Sequence, residues 1–161
     1  MRLISKNYLV ILIFLFGLFV RVLSIYPANI TFGYDQVRDF FDARSIFQDK
    51  NLRVIGPTAG NNPNLHHGVL YLYYIIPPLL LGGNPFWVGL WNSVFNALSS
   101  VAIFFLAKSL FASKKVAFFA AIIASSSFSF VQFSGWLSNP SPTTLTVPIF
   151  FWGIWEHYKK K

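Results

Sequence analysis

Residues 85–111 read PFWVGLWNSVFNALSSVAIFFLAKSLF, a run of 27 residues in which Lys108 carries the one charge. A helix that crosses a hydrocarbon core needs about 20 predominantly apolar residues, and this run exceeds that length. Three other runs approach the requirement: Tyr8 to Tyr26, Val116 to Trp136, and Thr143 to Tyr158. A fifth, Gly68 to Leu81 (GVLYLYYIIPPLLL), is shorter and is interrupted by Pro77 and Pro78. These runs predict an all-α, polytopic membrane helical bundle, with residues 1–161 forming one transmembrane domain.

Composition agrees with that class. Of 161 residues, 55% are hydrophobic and 11% charged, with nineteen Phe and five Trp, a balance that a soluble domain of this size rarely has. The formal net charge of +8 does not point to nucleic acid, because the basic residues gather at the ends of apolar runs instead of forming a stripe. Cysteine is absent, which excludes disulfides and thiolate metal sites. The first apolar run is too long for the core of a signal peptide and lacks a small-residue cleavage site after it, so it reads as a retained helix.

Charge asymmetry sets the expected topology. Arg2 and Lys6 place the N-terminus in the cytoplasm, and the first helix then exits to the far side. If Gly68 to Leu81 does not span, Lys108, Lys114 and Lys115 return to the cytoplasm, as do Lys159, Lys160 and Lys161. If it does span, both clusters move outside, against the rule. The expectation is therefore a multi-pass protein of the cell membrane with four spanning helices and both termini cytoplasmic. Its first extracytoplasmic loop, 27–84, holds a juxtamembrane or re-entrant segment at Gly68 to Leu81.

That loop concentrates the charge. It carries Asp35, Asp39, Asp42 and Asp49 against Arg38, Arg44, Lys50 and Arg53. The segment from Tyr34 has helical spacing: Val37, Phe40, Phe41, Ala43 and Phe47 cover one side, and Asp35, Arg38, Asp39 and Asp42 the other. Such a helix lies in the interface with its phenylalanines in lipid or against the bundle, and Arg44, inside the apolar arc, has to snorkel. Asp35, following Gly33 and Tyr34, reads either as a plain N-cap or as a general base or metal ligand facing a cavity. Asp39 and Asp42 are placed to pair with Arg38 on a solvated face.

Several motifs follow one another in a telling order: Arg21 at the end of the first helix, then YDQVRD, IGPTAG, HHGVLYLYY, GGNP and WLSNPS. From about Arg21 to Ser141 the chain resembles the N-terminal portion of the GT-C glycosyltransferases. The likeness is greatest to the bacterial branch related to protein O-mannosyltransferases and aminoarabinose transferases, glycosyltransferase family 39. The resemblance implies a sugar donor linked to polyprenyl phosphate and an acceptor protein or glycolipid on the extracytoplasmic face. It places the family's essential loop carboxylate at Asp35, which would deprotonate the acceptor in a single inverting displacement.

The same resemblance assigns Arg21, Tyr34, Arg38, Asp39, His66, His67 and Asn139 to substrate binding. A leaving lipid phosphate needs positive charge or donors where its own charge develops. Arg21, Arg53, His66 and His67 lie on the correct side for that task. Each also has a simpler reading, Arg21 as a snorkelling anchor and a histidine as a cap before the apolar run. Asn139 and Pro140 read as a turn before the last helix, with Ser141 capping it, and the resemblance puts this turn beside the active-site cavity. Some GT-C enzymes use a divalent metal, but a lone Asp35 without a DxD pair does not favour one, so no cofactor is expected. Members of the family carry more helices, which makes this chain comparable to an N-terminal module.

A second class stays open on the residues themselves, a small non-catalytic membrane interaction or carrier subunit that docks a partner through its charged loop. Apart from Arg21, the spanning runs hold amides and hydroxyls in place of ionisable groups, which counts against a transporter. On the second spanning run Asn92, Asn96, Ser99 and Ser100 recur at helical spacing and read as a packing stripe.

Overall fold

The computed structural model describes residues 2–60 and 62–160, with side chains from residue 8 onward. Lys161 and the side chains of Arg2 and Lys6, which enter the charge expectation, lie outside the described residues. Seven helices follow in order: α1 Arg2–Ile25, α2 Tyr34–Gln48, α3 Leu70–Leu79, α4 Pro85–Phe111, α5 Lys114–Ser126, α6 Phe128–Gly135 and α7 Thr143–Tyr158. Among the described residues the extended pairings are two isolated bridges, Thr31 with Trp136 and Thr58 with His66.

The long run around α4 becomes the hub of the bundle. Asn84 caps its start by accepting the Phe86 N–H at 2.9 Å, and Pro85 occupies the first turn, where a missing N–H costs nothing. Gly82 and Gly83 precede it at φ +109° and +74°, a turn that only glycine enters without strain. Helices α1, α3, α5, α6 and α7 all pack on α4. On α1, Ile13, Gly17, Arg21 and Ile25 form the buried stripe at every fourth residue, while Leu12, Leu15, Phe19 and Leu23 stay exposed. Exposed leucines and phenylalanines on that scale suit a lipid environment better than water.

Two helices, α1 from Tyr8 to Ile25 and α4, are long and apolar enough to cross a membrane. A third span exists if α5 and α6 are taken as one, bent by 47° at Ser127. The fourth expected span, α7, has 16 residues, about 24 Å of helix against a core of about 30 Å. Its shortness has a visible reason. Thr144 bonds Asn96, eleven positions into α4, and Glu156 bonds Ser109 near the end of α4. The turn between α6 and α7 is therefore sunk into the bundle, and α7 starts about 16 Å along α4.

The two ends of the bundle differ in character. The turn before α5 carries Lys108, Lys114 and Lys115, and the Lys159 ammonium reaches Ser109 at 2.8 Å, so these lysines share one end. At the other end Thr31 donates its N–H to the Gly135 carbonyl at 2.9 Å, which brings the start of the long loop against the end of α6. Helix α3 is too short to span. It carries α2 on one side and packs on α4 with the other, around a core of Ala43, Ile46, Leu72, Ile75, Val88 and Leu137.

Candidate functional site

The acidic helix begins as the spacing predicts, at Tyr34, but its capping differs. The N-cap is Gly33, whose N–H donates to the Gln36 side chain at 2.9 Å, so Asp35 stands inside the first turn and is not the cap. There it still meets the positive end of the helix dipole.

The inward face of α2 overlaps the phenylalanine face only in part: Phe40 and Phe47, partly buried, pack on the core beside Ala43. Gln36, Asp39, Ala43 and Ile46 are buried against α3, whereas Val37 and Phe41 are exposed. Asp39 thus departs from the expectation of a solvated charge. Its side chain is 3% exposed, and Arg38 compensates it by donating from Nε and Nη2 at 3.0 and 2.8 Å. A buried carboxylate without such a partner would cost several kcal/mol, about 3–5 when the partner is removed. Burial pushes the Asp39 carboxyl above the usual carboxylate range, with the Arg38 hydrogen bond and charge opposing that rise.

Arg38 also ties three elements together. Its Nη1 donates to Asp35 at 2.9 Å and reaches the Thr58 carbonyl at 3.5 Å. Thr58 belongs to a small closed loop in which Ala59 donates to Leu65 at 2.8 Å and His67 donates its backbone N–H to Pro57 at 2.9 Å. The His66 ring bonds the Gly56 carbonyl through Nδ1 at 2.9 Å, closing the same loop. Arg53 pairs with Asp42 at 2.9 Å, and its carbonyl accepts from the Tyr73 hydroxyl at 2.8 Å.

The structure brings together Asp35, Arg38 and Asp39, with His66 one contact away through the Thr58 loop. Asp35 itself is 69% exposed on its side chain, so it stands in water and not in an enclosed cleft. Tyr34 and His67 are exposed. Asn139 is half-buried in the sunken turn, where Ser141 does not cap α7 as expected but donates back to the Phe133 and Trp136 carbonyls at 3.1 and 2.7 Å.

Arg21 is neither a snorkelling anchor nor open to a phosphate. It is fully buried, and its Nη1 and Nη2 donate to the carbonyls of Gly17, Ser125 and Ala124 at 2.9, 3.2 and 3.4 Å. Ala124 and Ser125 lie in the last turn of α5, where the bend at Ser127 interrupts the helical ladder. The guanidinium supplies donors to carbonyls that the break sets free, which is what a helix end inside a bundle requires.

The polar stripe of α4 is buried as read. Asn92 accepts from the Tyr74 hydroxyl at 2.8 Å, and Asn96 reaches Ser134 at 3.5 Å as well as Thr144. A neighbour that the sequence reading passed over is Tyr71, whose hydroxyl is buried without a partner among the described residues. Burial first, and the nearby Asp39 charge second, push its phenol up. The signal was present in the spacing of Gln36, Asp39, Ala43 and Ile46, which centres the inner arc of α2 on Ala43 and not on Phe41. Among the described residues no three His, Asp or Glu side chains converge as a metal site would require.

No protein-family model, curated protein or solved structure matches the chain.

Proposed function

We propose that this chain is the N-terminal part of a membrane glycosyltransferase of the GT-C type. In this reading it moves a sugar from a polyprenyl-phosphate carrier to a protein or glycolipid acceptor. The observation that carries the reading is the pair of carboxylates Asp35 and Asp39 joined by one guanidinium, on a helix seated at the mouth of an apolar bundle. Its support from sequence is the ordered run of motifs from Arg21 to Ser141. In this reading α1, α4, the bent α5–α6 pair and α7 are four spans, both termini are cytoplasmic and the 27–84 loop is extracytoplasmic.

The roles divide by accessibility. Asp35, beside Arg38 and open to solvent, accepts the acceptor's proton, for which it must come within about 2.6–3.2 Å. Asp39 holds Arg38 in place, Arg38 and the loop backbone offer donors to the departing phosphate, and His66 fixes the loop through the Gly56 carbonyl. In this reading Tyr34, His67 and Asn139 add further contacts to the substrate. Arg21, enclosed at the bend of α5, acts on the site only through the packing of α1.

The exposure of Asp35 also favours the second reading, a non-catalytic membrane subunit that docks a partner through its charged loop. Transfer of radiolabelled sugar from polyprenyl-phosphate donors to membrane acceptors separates the two. The assay compares the chain, alone and with any in-frame continuation, against Asp35→Asn in each form. A loss of about 10²-fold or more in Asp35→Asn is the result expected of a general base. Transfer that survives the substitution removes Asp35 from the chemistry, and no transfer in any form moves the assignment to the docking subunit.

A further inference from the structure

A groove of about 530 Å³ runs along the outer face of α2 to the turn before α4. Phe41, Phe47, Leu80 and Pro85 form its walls, and Arg44 and Gln48 supply its polar side chains. The size is that of a small-molecule site, but with so few polar groups it does not suit a sugar or a nucleotide. Phe41 is 67% exposed and Leu80 63%, so the walls have no protein partner among the described residues.

Two observations say what covers it. The first is position: the groove ends on Pro85, the first residue of a helix long and apolar enough to span, so its apolar wall adjoins the start of a candidate membrane span. The second is charge. Arg44 donates from Nε to Gln48 at 2.7 Å, which holds its fork across the groove, and its guanidinium makes no ion pair among the described residues. Arg44 also lines a second cavity with Asp42 and Asp49, but Asp42 is taken by Arg53, and neither carboxylate pairs with Arg44 among the described residues. A planar guanidinium matches a phosphodiester with two parallel hydrogen bonds.

We propose that this groove is a binding site for an anionic membrane phospholipid, one acyl chain lying against Phe41, Phe47 and Leu80 and the phosphate resting on Arg44. The site does not depend on the glycosyltransferase reading. It would anchor α2 at the membrane boundary and set the height of Asp35 above the bilayer.

Native mass spectrometry of the delipidated chain in detergent, titrated with phosphatidylglycerol or phosphatidylcholine of identical acyl chains, tests it. Phosphatidylglycerol should bind about five-fold more tightly, the factor one arginine near an anionic lipid supplies. Arg44→Gln should bring the two lipids level, while Lys50→Gln, an equal loss of charge off the groove, should keep the preference. Val37→Trp, which fills the groove, should weaken both lipids. Equal binding of the two lipids to the unaltered chain overturns the site, as does an equal effect of Lys50→Gln and Arg44→Gln. Polyprenyl phosphate displacing phosphatidylglycerol at lower concentration also overturns it, and would instead place a carrier lipid there. The sugar-transfer assay reads none of these outcomes, so the two proposals fail separately.

Discussion

Arg38 grips Asp39 with two donors on a single oxygen: Nε at 3.0 Å and Nη2 at 2.8 Å both reach Oδ1. The remaining Nη1 turns outward to Asp35 at 2.9 Å. One guanidinium thus serves a buried carboxylate and an exposed one, and the two contacts differ in energy. Arg38→Ala should destabilise the fold by about 3–5 kcal/mol, because it strands the Asp39 charge. Asp35→Ala should cost at most about 1 kcal/mol, the range of solvent-exposed pairs. Denaturation of the purified protein in mild detergent gives the comparison, and equal costs would contradict the asymmetry.

Asp39 should also give the fold a pH dependence of unusual sign for a carboxylate. Its folded pKa lies above the unfolded value of about 3.9, so the folded state holds the proton more tightly. Stability from this group is then fully present below the unfolded value and is lost as pH rises through the window up to the folded value. The expected record is a melting temperature that declines across that window in the unaltered protein, with that component absent in Asp39→Asn. Identical profiles would show that Asp39 does not titrate differently on folding.

Arg21 should matter as a structural clamp. Arg21→Met keeps the length and removes the donors, leaving the Ala124 and Ser125 carbonyls without partners at the bend of α5. The expected cost is about 1–3 kcal/mol, measured by unfolding in mixed micelles. A cysteine pair spanning α1 and the α5 terminus, read by spin-label distances, should report a looser contact in the variant. An unchanged distance together with unchanged stability would mean that the broken helix holds itself.

The loop over α2 should fail at one glycine. A Cβ on Gly56 would lie 2.2 Å from the His67 carbonyl oxygen, which is backbone and has nowhere to move. Gly56→Ala should therefore open the loop that carries Thr58 and His66, and expose it to proteolysis between Gly56 and His67. A Gly60→Ala control meets no atom within 4 Å, though its φ of +61° adds backbone strain. Equal cleavage of the unaltered protein and Gly56→Ala would rule out the close approach as the reason for glycine there.

Helix α4 was legible from its residues because apolar length, the GGNP start and the Asn/Ser stripe are all local. The start of α2 at Tyr34 and the brevity of Leu70–Leu79 were legible for the same reason. The inner face of α2 was not. Five aromatic and aliphatic residues point a hydrophobic arc toward Phe41, yet burial centres on Ala43 and Ile46, with Phe40 and Phe47 packed at its edge and Phe41 left exposed, because Arg38 neutralises Asp39 and lets it turn inward. Asp35 illustrates the limit at the site: its place in the first turn could be read, but its exposure depends on how far the Thr58 loop reaches over α2.

The sequence by itself determined an all-helical chain with helices long and apolar enough to cross a membrane, its charges gathered in one loop and at the basic ends of its apolar runs. Hydropathy and helical period are properties of contiguous residues and need no distant partner. Only the tertiary structure decided that Asp39 faces inward, that α7 starts level with Asn96, and that Arg21 turns into the bundle. The physical reason is the same in each case: a buried polar group goes where another segment completes its hydrogen bonds, and for Arg21 that segment lies 104 residues away, at Ser125.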